Sequence, residues 1–227
     1  DDDYLRAGCK LVDAGTWTDA PLNTYILGIK ELPDSDAPLK HHHIYFAHAY
    51  KEQDGAEQLL NRFNEGRGLL YDLEFLQDNN GHRVTVFSYW AGVAGCAATL
   101  LLWIQKQNNQ VFKIPEFFPD ESSLVATLKE GLSTIKKPTS LVIGAQGRCA
   151  RGVRYFLKKL QLDKTLLYKK DTVNKTSYPE ILKHDLFFNC VYLREKTVPF
   201  VTNEQLTKTT NLSIIADISC DPNSPYN

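Results

Sequence analysis

Four apolar runs in the last third of the chain constrain its fold more than any other feature. They are the stretches TSLVIGA, TLLYKKD, DLFFNCVYL and LSIIADIS. Each is nearly continuous in apolar residues, which is typical of strands in a parallel sheet covered on both faces. The stretch CARGVRYFLKKL, between the first two runs, predicts a helix. The pattern therefore indicates an α/β fold.

The first third of the chain predicts a second series of the same kind. Strands are expected over Thr24 to Lys30 and His42 to His48, and a helix in DGAEQLLNRFNEG should end at Gly66. Gly68 to Leu76 should then pair with HRVTVFSY as a β-hairpin, because the DNNG turn tolerates positive φ. A long helix, Tyr89 to Gln107, and a shorter one in SSLVATLKEGLSTI follow.

These two series predict two Rossmann-like domains with mostly parallel sheets and a cleft between them. The first should cover residues 1–88, and a linking helix with the second should cover residues 89–227. The start, DDDYLRAG, has no initiator Met, and the end, DPNSPYN, directly follows a predicted strand. We therefore expect both domains to be incomplete.

Composition narrows the classes of protein to which the chain can belong. A formal net charge of -1 provides no basic surface for nucleic acid. No apolar run reaches the roughly 20 residues that a membrane span needs. Five cysteines without a CxxC motif favour a reducing compartment, and hence a cytoplasmic location.

A glycine-containing loop after the first apolar run is the main signal for a cofactor. Gly144 and Gly147 would let the backbone approach a pyrophosphate at the start of a helix. The spacing departs from G-x-G-x-x-G, so a tight turn without a ligand is the alternative. Asp171 lies 27 positions after Gly144, at the expected end of the second strand, where an acid can accept ribose hydroxyls. No basic residue directly follows Asp171, which favours NAD over NADP.

Lys30 and His48 each lie at the carboxyl end of a predicted strand. In α/β folds, ligand-binding and catalytic residues are concentrated at these strand ends. A lysine must be desolvated or crowded by positive charge to act as a base near neutral pH, and Glu31 and Glu74 are candidates to tune it. A histidine can act as an acid or base near neutral pH without a large pKa shift. The structural alternatives are a solvated lysine and a histidine of the core.

Three further patterns each have a functional and a structural interpretation. Arg83 can bind a carboxylate through a bidentate fork or lie on the surface. The run His41-His42-His43 looks like a metal cluster, but neighbouring strand residues point to opposite faces, so we expect no metal site. Cys149 and Cys190 are expected at one sheet edge, either as a conditional disulfide or as two unpaired buried thiols.

Several stretches match one known family in order and over nearly the whole chain. They are AGTWTDAP, ILGIKELPDSDAPL, HIYFAHAYKEQ, LLYDLEFLQDNNGHRV, YWAGVAG, VIGAQGRCARG, FFNCVYL and ADISCDPNSP. Through them the chain resembles the fungal-type, L-lysine-forming saccharopine dehydrogenases and, more distantly, alanine dehydrogenase and transhydrogenase domains. The resemblance implies an NAD-dependent oxidation of saccharopine to L-lysine and 2-oxoglutarate, the last step of lysine biosynthesis through aminoadipate.

The resemblance also implies roles for individual residues. Lys30 would deprotonate the secondary amine, and His48 would serve imine hydration and carbinolamine collapse, with Glu31 and Glu74 tuning both. The positions that match substrate contacts are Gln53, Arg83, Phe87, Ser219, Cys220 and Asp221. The positions that match cofactor contacts are Gly147, Arg148, Asp171, Tyr192 and Ile218, joined by Gly144 from the loop pattern and by His82, where the family commonly has an arginine. Cys149 and Cys190 match a cysteine pair that can form a disulfide in this family.

Further expectations concern partners and the extent of the chain. We expect small-molecule partners (saccharopine, lysine and 2-oxoglutarate), no nucleic acid or membrane partner, and a monomer in the cytoplasm, with a peroxisomal address as the alternative. The family's chain has a segment before the equivalent of Asp1 and continues past Asn227. Two other functions stay open: a catalytically silent NAD-binding module and an alanine-dehydrogenase-like enzyme with a smaller substrate.

Overall fold

Two parallel sheets organise the chain in the computed structural model, which describes residues 1–30, 32–49, 54–113, 118–193, 197–208 and 210–220. The chain divides into two compact units, Asp1–Val86 and Phe87–Asn227. One sheet belongs to each unit, and every strand pair in both is parallel. The expected α/β class with mostly parallel sheets is confirmed.

The first unit is built on a three-stranded sheet in the order β1-β2-β3. Its elements are α1 (Asp2–Arg6), a 3-10 turn (Thr16–Asp19), β1 (Tyr25–Leu27), β2 (His42–Tyr45), α2 (Ala56–Gly66) and β3 (Leu69–Asp72). Helix α2 ends at Gly66, as expected, and Arg67 follows it in the left-handed region with φ 57. The strands are shorter than expected, and β1 and β2 end three residues before Lys30 and His48.

The β-hairpin expected after β3 is present but much shorter than expected: Asp78 N–H donates to His82 O and Val84 N–H donates to Leu76 O, each at 2.9 Å. The Asp72 carboxylate accepts a hydrogen bond from the backbone N–H of Glu74 at 2.9 Å and starts a 3-10 turn, Leu73–Phe75. Beyond it, the described residues contain a single isolated antiparallel bridge, between Gln77 and Arg83. A side chain that captures a backbone N–H competes with strand pairing, and here it ends the strand at Asp72.

The second unit contains a four-stranded sheet in the order β5-β4-β6-β7. Its elements are α3 (Ser88–Gln107), α4 (Glu121–Ser133), β4 (Ser140–Ile143), α5 (Arg148–Lys159), β5 (Lys164–Leu167), α6 (Lys169–Thr172), a 3-10 turn (Ile181–Lys183), β6 (Leu186–Asn189), α7 (Asn203–Leu206) and β7 (Ile214–Asp217). Strands β4 and β6 are buried along their full lengths, as near-continuous apolar runs require. Among the described residues, no helix combines the length and the apolar character needed to cross a membrane.

Two glycines let α3 and α5 pack backbone against backbone. A Cβ atom added at Gly92 would lie 2.0 Å from the carbonyl oxygen of Cys149, and one at Gly152 would lie 2.0 Å from that of Tyr89. Neither position can therefore hold a side chain without separating the helices. The close approach fixes where α5 begins relative to the sheet.

Imidazole rings form part of the core of the first unit. His43 is 1% exposed and meets the rings of Trp17, Phe63 and Tyr45 close to edge-on. His41, also buried, places Nε2 2.8 Å from the carbonyl oxygen of Ala20. Burial lowers the pKa of His43 to about 4, and positive charge on His41 and Arg62 acts in the same direction.

This lowered pKa predicts a loss of stability in mild acid. The unfolded chain binds a proton at His43 near pH 6.5, whereas the folded chain resists it until about pH 4, so stability is lost as pH falls through this window. Between about pH 7.5 and about pH 5, the free energy of unfolding should fall by about 2 kcal/mol through His43. Replacing His43→Phe should remove most of that fall, as measured by urea unfolding at the two pH values.

A matched control is His82→Gln, because the side chain of His82 is 77% exposed and its ion pair with Asp78 is a surface contact. This variant should keep the pH dependence of the parent protein. If the parent and His43→Phe lose stability equally between the two pH values, His43 is not the responsible group.

Candidate active site

Three of the expected site residues meet beyond the carboxyl ends of β2 and β3. Oε2 of Glu74 lies 2.8 Å from Nη2 of Arg83 and 3.5 Å from Nδ1 of His48. The Glu74 side chain is 5% exposed, whereas those of His48 and Arg83 are 24% and 38% exposed. A buried carboxylate thus holds two basic side chains that remain accessible to a ligand.

His48 has an unusual backbone conformation. Its φ is 55, in the left-handed region that residues other than glycine rarely adopt. Such conformations persist where the surroundings impose them, and they cluster at functional sites. The conformation turns the chain sharply beyond β2, where the imidazole meets Glu74.

Lys30 leaves the same edge of the sheet as His48. Beyond β1 and β2 the two chains stay side by side, since Gly28 N–H donates to Ile44 O at 3.0 Å and Phe46 N–H donates to Ile29 O at 3.3 Å. Lys30 itself is exposed and lies in the loop rather than at the end of the strand. Three other expected site residues, Glu31, Gln53 and Asp221, lie outside the residues that the structure describes.

The glycine loop of the second unit lies where the strand order changes direction. From β4 the chain passes through α5 to β5 on one side, and β6 lies on the other side of β4. Loops that follow such strands diverge and leave a crevice at the carboxyl edge of the sheet. Gly144 has φ 77, and a Cβ atom there would lie 3.0 Å from the carbonyl oxygen of Cys190.

Helix α5 begins just beyond this loop, with Gly147 as N-cap and Arg148 as its first residue. The amide groups at a helix N-terminus carry partial positive charge and suit a phosphate. The bare backbone at Gly144 and Gly147 and the start of α5 together fit the pyrophosphate of a dinucleotide. Which nucleotide it is depends on residues elsewhere in the unit.

The other expected cofactor residues lie in different environments. Asp171 does not end β5 as expected; it lies in α6, where its carboxylate accepts a hydrogen bond from the N–H of Tyr168 at 2.9 Å. Tyr192 is 67% exposed in the segment after β6. Ile218 packs against α3, where a Cβ atom at Gly95 would lie 2.8 Å from its side chain. Ile218 therefore has a packing role whether or not it meets a cofactor.

The remaining candidates are placed as follows. His82 lies in the turn of the first unit, and its Nδ1 is 3.4 Å from a carboxylate oxygen of Asp78. Phe87, in the second unit, is exposed and is the N-cap of α3. Ser219 is half-buried and Cys220 is exposed, both directly after β7.

Cys149 and Cys190 are free thiols that are hydrogen-bonded to each other, and the conditional disulfide is not formed. This hydrogen bond lowers the pKa of the Cys149 thiol. The same hydrogen bond, together with burial, raises the pKa of the Cys190 thiol. The two residues do lie together, beside the loop at Gly144, as the shared sheet edge predicted.

Sequence reasoning missed Asp72. Its carboxylate accepts backbone hydrogen bonds from Ala47 at 3.3 Å, Ala49 at 3.2 Å and Glu74 at 2.9 Å. Two of these amides belong to the residues on either side of His48, and the third is that of Glu74. The one available signal was the position of Asp72 at the end of a predicted strand, two residues before Glu74.

A cavity of about 720 Å³ lies elsewhere, beside α2, and contains none of the expected site residues. It is lined mainly by carboxylates and amides, with Asp36, Asp54, Glu57 and Glu65 among them. Within the described part of the chain, no three His, Cys, Asp or Glu side chains are grouped to hold a metal ion. The expected site residues that the structure brings together lie instead around Glu74 and around the loop at Gly144.

The chain is similar to several known dehydrogenases. Residues 1–94 match the family model for the alanine dehydrogenase/PNT N-terminal domain. Proteins named saccharopine dehydrogenase (NAD(+), L-lysine-forming) from Candida glabrata and Schizosaccharomyces pombe are each 42% identical to the chain over its full length, and one from Yarrowia lipolytica is 40% identical. The chain spans 64–65% of the length of these relatives.

A solved structure of L-alanine dehydrogenase is similar in fold. It matches with a TM-score of 0.58 and 16% identity, and the match covers 94% of this chain and 60% of that one. At this identity the likeness concerns the fold alone.

The variant Gly144→Ala tests whether the loop at Gly144 needs a residue without a side chain for stability and nucleotide binding. A side chain at a left-handed position costs about 1–2 kcal/mol, and here the new Cβ would also press on the carbonyl oxygen of Cys190 and the side chain of Val191. The free energy of unfolding of the second unit should fall by more than that amount, and nucleotide binding should weaken. Denaturant unfolding and calorimetric titration with NADH measure the two effects.

Gly15→Ala is the matched control, since Gly15 has φ 85 but no heavy atom within 4 Å of an added Cβ. Gly15 lies in the first unit, so this variant should lower the free energy of unfolding of that unit by the cost of backbone strain alone and leave NADH binding unchanged. Equal destabilisation by the two variants would show that the contact with Cys190 and Val191 is unimportant.

Proposed function

Because this chain is a relative of the fungal, L-lysine-forming saccharopine dehydrogenases along its whole length, we propose that it oxidises saccharopine to L-lysine and 2-oxoglutarate with NAD as cofactor. The names of the relatives supply the substrate and the cofactor. The observation that carries the proposal is the buried Glu74 between His48 and Arg83, at the sheet edge from which Lys30 also leaves.

The reaction needs two separate proton carriers. Lys30 takes the proton of the secondary amine, so that the nitrogen lone pair can drive loss of hydride. His48 then acts as acid and base while water adds to the imine and the carbinolamine collapses. Glu74 balances the charge that His48 gains each time it binds a proton, and Glu31 assists Lys30.

Saccharopine carries three carboxylates, one on its lysine part and two on its 2-oxoglutarate part, and these carboxylates need fixed cations. Arg83 is 38% exposed and is held at Glu74, so its guanidinium can also face a substrate carboxylate. Gln53, Phe87, Ser219, Cys220 and Asp221 complete the proposed substrate contacts. Anchoring both ends of saccharopine would fix its reacting carbon and nitrogen.

NAD supplies the hydride acceptor when it is bound. Gly144, Gly147 and Arg148 hold its pyrophosphate at the start of α5. Asp171 lies on the ribose side, and Tyr192, Ile218 and His82 provide further contacts. In this proposal residues 1–88 supply the proton carriers, and residues 89–227 supply every nucleotide contact except His82. The proposed substrate contacts come from both parts of the chain.

We further propose that the protein acts as a monomer in the cytoplasm. All five cysteines lie within the described residues and are free thiols, which suits a reducing compartment. A second candidate activity, reductive amination of pyruvate by ammonia, is supported by the match of residues 1–94 to the alanine dehydrogenase/PNT family.

Lys30→Met tests the proposed proton acceptor. In the complete protein, with lysine, 2-oxoglutarate and NADH, the variant should lose about 100-fold or more in kcat, because a positioned acid or base typically contributes that much. Its Kd for NADH should stay within about threefold of the parent value, since the lysine acts on the amine and not on the nucleotide. Absorbance of NADH and calorimetry supply the two readouts.

Lys40→Met is the control, because Lys40 is an exposed lysine on the same connection between β1 and β2. It should retain parental turnover. Equal turnover in Lys30→Met would remove Lys30 from the mechanism. A parent protein that binds NADH but is inactive with lysine and 2-oxoglutarate would disprove the proposed reaction, and turnover with pyruvate and ammonia would then establish the second candidate.

A further inference from the structure

We propose that Asp72 is the positioning residue that holds His48 and Glu74 in reacting geometry. The catalytic part of this inference rests on the proposed function, whereas the geometric part does not. Oδ1 of Asp72 accepts the N–H groups of Ala47 and Glu74, and Oδ2 accepts that of Ala49. One carboxylate therefore ties the loop after β2 to the turn after β3.

The loop after β2 needs such a restraint at His48. The left-handed φ of 55 is sparsely populated by residues with a side chain, so the loop would relax if left alone. The two amides that Asp72 binds in this loop belong to the residues on either side of His48. The Ala49 N–H lies in the peptide plane that follows His48, and the Ala47 N–H lies in the peptide plane before Ala47, so the two bonds restrain the loop on both sides of His48.

The same carboxylate also sets the partner of His48. Its bond to the Glu74 N–H starts the 3-10 turn that directs the Glu74 side chain towards His48 and Arg83. The separation of 3.5 Å between His48 Nδ1 and Glu74 Oε2 thus depends on two segments that Asp72 joins. A shift of either segment would change that separation directly.

Only a carboxylate can serve all three amides. An ionised aspartate offers acceptors on both oxygens, whereas an asparagine of the same shape replaces one oxygen with an NH₂ donor. In Asp72→Asn, that donor would face either the Ala49 N–H or the N–H groups of Ala47 and Glu74. The substitution therefore changes hydrogen bonding with almost no change in volume.

The test compares Asp72→Asn and Asp72→Glu with the parent in the complete protein. Asp72→Asn should lose between about 10-fold and about 100-fold in kcat, with KM values for lysine, 2-oxoglutarate and NADH within about threefold, because misplacement of a reacting group acts on turnover. The pH profile of kcat should also shift on the side that reports His48. Asp72→Glu restores both acceptors and should recover part of the loss.

Asp185→Asn is the matched control. The Asp185 carboxylate also accepts a backbone N–H, that of Thr139 at 2.8 Å, but it holds a residue outside the proposed site. This variant should lose stability while keeping the parental kcat and pH profile. An Asp72→Asn variant that lost stability but kept the parental kcat would reduce Asp72 to a structural role and overturn the proposal.

A second measurement does not depend on activity or on the folding of any variant. In the parent protein at neutral pH, the backbone amide hydrogens of Ala47, Ala49 and Glu74 should exchange with solvent at least about 10-fold more slowly than in an unstructured peptide, as measured by NMR. Unprotected exchange at these three amides would overturn the positioning role. Slow exchange in a protein without saccharopine activity would uphold the geometry and disprove only the proposed function.

Discussion

The parallel register between β2 and β3 is the constraint on which the candidate site depends. It pairs Tyr45 with Asp72, the last residues of the two strands, so the loops that follow begin side by side. Asp72 can then reach the amides on both sides of His48, and Glu74 emerges two residues later, opposite that loop. A shift of one residue would move Asp72 to the other face of the sheet and separate these groups.

The second unit uses the same geometry for a different purpose. Strands β4 and β6 are neighbours and are buried throughout, so both faces of the sheet must be covered. Helix α5 can approach closely only because Gly92 and Gly152 carry no side chain. That packing fixes the first turn of α5 beside the loop at Gly144. The helix that covers the sheet therefore also presents its N-terminal amide groups next to this loop, where they can bind a phosphate.

Sequence patterns predicted what depends on periodicity and missed what depends on distant partners. The apolar periodicity placed α2 and α3 within a residue or two of their bounds, and the apolar runs located all four strands of the second sheet. The predicted ends of β1 and β2 lie three residues beyond the observed ends, because apolar residues continue into loops that no longer form a regular ladder. The hairpin is shorter than expected because the Asp72 side chain binds a backbone N–H and starts a 3-10 turn, a contact that leaves no periodic signal.

The charges around Glu74 are better explained by chemistry than by stability. Removing a carboxylate from water costs several kcal/mol, and ion pairing returns at most a comparable amount, so apolar side chains of similar size would stabilise the sheet edge equally well. Glu74 is nevertheless 5% exposed, while His48 and Arg83 stay accessible around it. The His48 backbone is also held in a conformation that is unfavourable for a residue with a side chain. Buried charge and backbone strain at one sheet edge both oppose stability, and they are expected together where side chains must be fixed for a reaction.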